Sequence, residues 1–234
     1  MSIRTVVTTS ALVALVGTGV RLSHSRTHQI VGELLTRVET SDSVVALTFD
    51  DGPTAFHTDS VLAVLAESGA RATFFMVGQA MERNPEVVSR VLSRGHEIGN
   101  HSYSHRRLVL RSLETIRREI ALTDSLIRAA GQTGEILVRP PYGSRLIGLP
   151  LLLSQQDRPV VLWDLEPDTY HSDAQGIVDF VLEHVSPGSI ILLHAEIPSR
   201  AENRRALRLL LPELRSRGYR LVTLSDLRRR SPPF

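Results

Sequence analysis

Short apolar runs alternate with amphipathic runs along most of the chain, and this alternation restricts its fold more than any other feature. Apolar runs of strand length predict strands at 44–49, 72–77, 96–101, 135–139, 159–165, 189–193 and 219–224. Amphipathic runs that mostly stop at glycine or Pro-Gly predict helices at 59–68, 86–95, 112–130, 174–185 and 200–217. Strands that alternate with helices indicate parallel strands covered by helices.

The fold class that this order predicts is α/β. The span 44–228 is shorter than the roughly 250 residues of a full eight-unit (β/α) barrel, and an open doubly wound sheet is the competing architecture. We favour a deformed, shortened (β/α) barrel of about seven parallel strands, because polar residues follow the predicted strands and a barrel would bring them to one rim.

Five of the predicted strands end in polar clusters. They are Asp50 and Asp51; Asn100, His101 and His105; Arg139 and Tyr142; Asp164, Glu166 and Asp168; and His194. The only tryptophan, Trp163, and Tyr170 lie in the same segments, although aromatic residues make up only 5% of the chain. A rim that concentrates scarce aromatic residues is typical of a ligand surface.

The segment HSYSH suggests a metal site. His101 and His105 lie four positions apart, so one helical turn or a tight loop brings both imidazoles to one point. The chain has no cysteine, so a third ligand must be His, Asp or Glu, and Asp51 is the natural donor. Two imidazoles and a carboxylate suit zinc best, with cobalt, nickel or manganese as alternatives.

The adjacent residues Asp50 and Asp51 are then predicted to have different roles. Adjacent residues that leave a strand point in different directions, so Asp51 is predicted to bind the metal and Asp50 to take a proton from metal-bound water. His194 is the predicted acid, with Asp168 or Glu166 as its carboxylate partner. Arg139 is predicted to orient Asp50 through a fork-like pair.

Five segments together resemble the polysaccharide deacetylase family, also called the NodB-homology family or carbohydrate esterase family four. They are TFDDGP at 48–53, NHSYSH at 100–105, RPPYG at 139–143, WDLEPD at 163–168 and IILLH at 190–194. The resemblance implies a deformed barrel and a hydrolase in which metal-bound water attacks the carbonyl of N-acetyl groups on peptidoglycan or chitin-like amino sugars.

Carried over by motif, the resemblance implies the roles assigned above and adds an oxyanion donor, the backbone N–H of Tyr142. The predicted substrate-binding residues are Tyr142, Pro140, Trp163, Tyr170 and Leu192. The chain departs from many relatives where Ala195 follows His194 and where the fourth motif reads EPDTY. Tyr170 is the expected replacement for a sugar-facing tryptophan, and Asp168 is favoured over Glu166 as the partner of His194.

Two other functions fit the same residues. One is metal-dependent hydrolysis of a small non-sugar amide, and the other is carbohydrate binding without turnover. The leading hypothesis has an N-acetylated glycan as the partner. The net charge is only +2, and basic clusters on helix-like segments are ordinarily solvated helix faces. We therefore expect no nucleic-acid partner.

The N-terminus suggests export. Arg4 precedes an uncharged stretch at 5–20, which is shorter than the roughly 20 residues that span a bilayer comfortably. We therefore predict a signal peptide or membrane anchor at 1–22, which would make the protein secreted, periplasmic or anchored on the outer side. The predicted organisation continues with a linker and N-terminal extension at 23–43, the catalytic domain at 44–228 and a tail at 229–234.

Overall fold

The computed structural model describes residue 21 and residues 23–231. The strands are β1 (Leu34–Leu35), β2 (Val44–Asp50), β3 (Thr73–Met76), β4 (Glu97–Asn100), β5 (Val160–Val161), β6 (Ile190–Leu193) and β7 (Arg220–Val222). Residues 25–231 form the helices α1 (Ala55–Glu67), α2 (Gly78–Arg83), α3 (Pro85–Ser93), α4 (Leu113–Ala129), α5 (Gly148–Ser154), α6 (Ala174–His184), α7 (Ala201–Ser216) and α8 (Leu224–Arg228).

Strand β2 is the centre of a parallel sheet. The order is β4-β3-β2-β6, and β7 also pairs with β2. Parallel bridges from Asn100 to Val138 and from Val138 to Val160 continue the pairing from β4 to β5. A further parallel bridge from Leu165 to Ile191 leads back to β6. The strands are thus linked around an irregular ring, which is the parallel α/β arrangement that the sequence predicts.

The alternation of side chains along β2 determines which face of the sheet Asp50 points to. Val45, Leu47 and Phe49 pack in a core cluster with residues of the covering helices. Val44 and Ala46 pack in a second cluster, which contains side chains of β3, β5 and β6. Because successive side chains of a strand point to opposite faces, Asp50 has the parity of the second cluster, inside the ring of strands.

The predicted strand 135–139 is the main difference from expectation, because only Val138 forms bridges there. The side-chain amide of Gln132 binds both the N–H and the carbonyl of Ile98, at 2.7 Å each. The guanidinium of Arg158 donates two hydrogen bonds to the carbonyl oxygen of Ile136. Side chains therefore take the bonds that a full strand would make. The short helices α2, α5 and α8 were not predicted, because so few turns give little periodicity.

The segment 23–43, predicted as a linker and N-terminal extension, packs against the rest of the fold. Its strand β1 pairs in parallel with β5, and Arg37 forms an antiparallel bridge with Ser189. The predicted signal peptide or anchor at 1–22 lies outside the described residues except for Arg21, and so do residues 232–234 of the predicted tail. Within the described part of the chain, no helix combines the length and apolar character needed to cross a bilayer.

Candidate active site

Asp51, His101 and His105 come together beyond the ends of β2 and β4. The Oδ1 atom of Asp51 lies 2.9 Å from Nε2 of His105 and 3.4 Å from Nε2 of His101. One donor atom from each of the three residues lies within 4.8 Å of the others. Both Asp51 and His105 have left-handed backbone, at φ 73° and 56°, so local backbone strain is concentrated at this point.

The surroundings of the three residues suit a divalent cation. Nδ1 of His101 lies 2.8 Å from the carbonyl oxygen of Arg139, which leaves Nε2 directed at Asp51. Burial would raise the pKa of Asp51, but the two imidazoles hold it well below its usual range. Two imidazole nitrogens and an ionised carboxylate oxygen form a donor set that zinc takes in hydrolases, so these residues fit the predicted ion.

Asp50 is buried beside this cluster. Its Oδ1 accepts a hydrogen bond of 2.7 Å from Nη1 of Arg139, and its Oδ2 lies 3.6 Å from Nε2 of His101. The predicted fork-like pair is wrong in its geometry. Only Nη1 of Arg139 binds Asp50, because Nη2 donates to the carbonyl of Leu162 at 2.9 Å. Nη1 also donates to the hydroxyl of Thr48.

His194 pairs with Asp168. Nδ1 of the imidazole and the backbone N–H of His194 both lie 2.9 Å from Oδ2 of Asp168. Burial alone would lower the pKa of His194, but the Asp168 carboxylate, helped by Asp50 and Asp51, raises it to about 9. The alternative partner, Glu166, instead accepts a hydrogen bond of 3.0 Å from Nε1 of Trp163.

Asp50, His194 and the three candidate metal ligands line one open cavity of about 430 Å³, whereas Arg139 and Asp168 are not among its lining residues. It is lined by His24, Arg26, Asp50, Asp51, His101, His105, Tyr142, Gly143, Leu162, Trp163, Glu166, Thr169, His194, Ile197 and Arg200. The predicted cluster therefore converges on one space large enough for a small ligand.

The five predicted substrate-binding residues are distributed unevenly around this cavity. Tyr142 and Trp163 line it, and Tyr142 is exposed on the rim. Tyr170 is exposed nearby, and its hydroxyl accepts a hydrogen bond of 3.1 Å from Arg26. Pro140 and Leu192 are buried, and Leu192 packs in the same core cluster as Trp163.

Sequence reasoning missed two buried residues. Asn203 donates a hydrogen bond to Oδ2 of Asp168; a polar residue on the apolar face of α7 was the available signal. Glu196 is fully buried, and a Cβ placed on Gly52 would meet its carboxyl oxygens at 2.3 Å. Burial raises the pKa of Glu196 to about 8, although the hydroxyl of Thr58 donates to it.

Comparison with known proteins identifies the family of this fold and site. Residues 37–153 match the family model described as polysaccharide deacetylase. A peptidoglycan-N-acetylglucosamine deacetylase of Bacillus cereus is 35% identical over 201 residues, which cover 85% of this chain and 94% of that protein. A chitooligosaccharide deacetylase of Sinorhizobium fredii is 34% identical over 192 residues, which cover 77% of this chain and 89% of that protein.

A solved structure agrees with these matches. The crystal structure of a peptidoglycan N-acetylglucosamine deacetylase in complex with 4-naphthalen-1-yl-N-oxidanyl-benzamide superposes with a TM-score of 0.80 at 30% identity, over 85% of this chain and 95% of that one. The match confirms the parallel α/β fold. The chain therefore belongs to the polysaccharide deacetylase family of hydrolases, as its five motifs predict.

Proposed function

We propose that the protein removes N-acetyl groups from the amino-sugar units of a peptidoglycan-like or chitin-like glycan, with the help of a divalent cation. The names of the similar proteins support the reaction and the substrate class. The observation that carries the proposal is the convergence of five side chains in one cavity: Asp51, His101 and His105 as a ligand set, with Asp50 and His194 beside it.

Asp51, His101 and His105 would hold the cation, most suitably zinc, with cobalt, nickel or manganese as alternatives. When bound, such an ion polarises a carbonyl oxygen and makes water more acidic. The pairing of Nδ1 of His101 with a backbone carbonyl keeps Nε2 directed at the ion position.

Asp50 acts as the base in the proposed mechanism. Arg139 holds its Oδ1, so Oδ2 is the atom that accepts a proton from the attacking water. The water oxygen bonds to the amide carbon, and the backbone N–H of Tyr142 stabilises the negative charge on the former carbonyl oxygen.

His194 acts as the acid. Asp168 holds Nδ1, which leaves Nε2 to give a proton to the sugar nitrogen as the C–N bond breaks. The products are acetate and a free amine. Tyr142 and Trp163 contact the sugar, Tyr170 extends the wall, and the buried Pro140 and Leu192 support it from behind.

Replacement of Asp50 by Asn tests the proposed base. Because Asn cannot take the proton, we expect acetate release from an N-acetylglucosamine oligomer to fall by at least about 100-fold. Metal content measured by mass spectrometry should stay near that of the native protein, because Asp50 is outside the ligand set.

Asp179→Asn is the matched control, since Asp179 is exposed on α6 and accepts a hydrogen bond of 2.8 Å from Gln175. It should release acetate at the native rate. Normal turnover by Asp50→Asn would show that Asp50 is not the base. Absence of acetate release by metal-loaded native protein from every acetylated glycan tested would reject the proposed reaction.

We also propose that residues 1–22 direct export or tether the protein to a membrane. The uncharged stretch at 5–20 after Arg4 supports this proposal. Expression with and without residues 1–22, followed by cell fractionation, tests it. Identical fractions for both chains would contradict it.

A further inference from the structure

The N-terminal segment forms one wall of the cavity. Arg145 is buried and anchors this segment, because its backbone N–H donates to the carbonyl of Ser23 at 2.9 Å and its side chain donates to Gln29 at 3.2 Å. The anchored segment brings His24 and Arg26 to the cavity lining. These residues lie before the five family motifs, so they do not follow from the motifs.

Arg26 is directed by contacts with the rim. Its Nη2 donates to the hydroxyl of Tyr170 at 3.1 Å and lies 3.6 Å from a carboxylate oxygen of Glu166. The guanidinium carbon lies 5.7 Å from the centre of the Trp163 ring. A guanidinium has five N–H donors, so one hydrogen bond through Nη2 leaves Arg26 with donors for a ligand.

Two other arginines approach the same opening from different segments. Arg200 lines the cavity, and its Nη1 donates to the backbone carbonyl of Asp168 at 3.2 Å. The guanidinium carbon of Arg107 lies 4.2 Å from the centre of the Tyr142 ring, and its Nη1 lies 3.2 Å from Nε2 of His24. Within the described residues, neither Arg107 nor Arg200 forms an ion pair with a carboxylate.

The carboxylates of the cavity do not account for this positive charge. Asp50 is paired with Arg139, and Asp51 is paired with the two imidazoles. In the described part of the chain, Glu166 is the one carboxylate that forms an ion pair with Arg26. The mouth of the cavity therefore carries more guanidinium groups than its own acidic groups balance.

We propose that this excess charge recognises the substrate: the cavity takes amino-sugar polymers that carry a carboxylate close to the acetylated sugar, and Arg26 and Arg200 determine this specificity. The inference rests on the proposed function and names the substrate class within it. A guanidinium offers two parallel N–H donors to a carboxylate, which is a recognition geometry that a neutral glycan cannot use.

A matched pair of substrates tests the inference. One is a tetrasaccharide of alternating N-acetylglucosamine and N-acetylmuramic acid with free lactyl carboxylates, and the other is the same tetrasaccharide with those carboxylates converted to methylamides. For the native protein, we expect the KM of the acidic form to be about tenfold lower than that of the amidated form. One charge-assisted hydrogen bond that contributes about 1.4 kcal/mol to binding gives a tenfold change in affinity. The advantage should shrink as salt is added, because the arginines are partly exposed.

The variants Arg26→Gln and Arg200→Gln should each raise the KM for the acidic substrate at least threefold more than the KM for the amidated substrate. Arg200→Lys should restore part of the advantage of the acidic substrate. Arg94→Gln, an exposed arginine that does not line the cavity, is the charge-matched control and should behave as the native protein.

Equal KM values for the acidic and amidated substrates of the native protein would overturn the inference while the proposed deacetylation stands. Equal losses on both substrates in Arg200→Gln would show that Arg200 acts through Asp168 and not on the substrate. If neither substrate releases acetate, the proposed function fails, and calorimetric binding of the two forms then decides the inference: tighter binding of the acidic form supports it, and equal binding refutes it.

Discussion

The buried pair of Arg139 and Asp50 is predicted to be a major energetic coupling in the fold. Both side chains are almost wholly buried, with 0% and 3% of their surface exposed. Arg139 donates hydrogen bonds to Asp50, to Thr48 and to the carbonyl of Leu162. Replacement of Arg139 by Met keeps much of the volume and removes all of these donors.

The expected cost follows from what Arg139→Met leaves behind. Asp50 keeps a carboxylate in the interior without its cation, and the carbonyl of Leu162 loses the donor that Nη2 supplies. Removing one partner of a buried ion pair costs about 3–5 kcal/mol. For a domain of this size, that corresponds to a melting temperature lower by roughly 6–20 °C, at about 2–4 °C per kcal/mol.

A double-mutant cycle measures the coupling. Urea unfolding of the native protein, Arg139→Met, Asp50→Asn and the double variant gives the four free energies of unfolding. Because a neutral Asn no longer requires a cation, Arg139→Met should cost at least about 1.5 kcal/mol less in the Asp50→Asn background. Costs that agree within about 0.5 kcal/mol in the two backgrounds would refute the coupling.

Two more predictions concern the groups around the cavity. His194 has its pKa raised to about 9, so the proposed proton donor is present below pH 9 and lost above it. The alkaline limb of kcat/KM should therefore fall near pH 9 and move to lower pH in Asp168→Asn; an unmoved limb would mean that another group titrates there. Gly52→Ala should cost about 1–3 kcal/mol of unfolding free energy, because the new Cβ meets the carboxyl of Glu196. Glu196→Ala makes room, so the double variant should lose less than the sum of the two single losses, and full additivity would contradict this contact.

The residues at the ends of the strands could be predicted because each depends on local order along the chain. The doublet Asp50 and Asp51 follows an apolar run, and the two imidazoles of HSYSH are four positions apart. Strand period, helix period and the direction of parallel strands then place such residues at one rim. Their convergence is what the structure shows, whereas their catalytic roles stay predictions.

Other features of the site depend on distances across the fold. The choice of Asp168 over Glu166 as the partner of His194 joins residues 26 positions apart, and the pair of Arg139 with Asp50 joins residues 89 apart. The single-nitrogen geometry of Arg139 arises because the carbonyl of Leu162 competes for its second nitrogen. No local periodicity records which of several nearby acceptors a side chain reaches.

The sequence by itself determined the residue types, their order and the strand ends from which they project, because backbone periodicity converts spacing into direction. Only the tertiary structure decided which groups pair, and it brought the N-terminal segment with Arg26 onto the cavity through the buried side chain of Arg145. Such contacts depend on how whole elements pack. Close packing fixes the distances between atoms of different elements, whereas a linear pattern sets only the face from which a side chain projects.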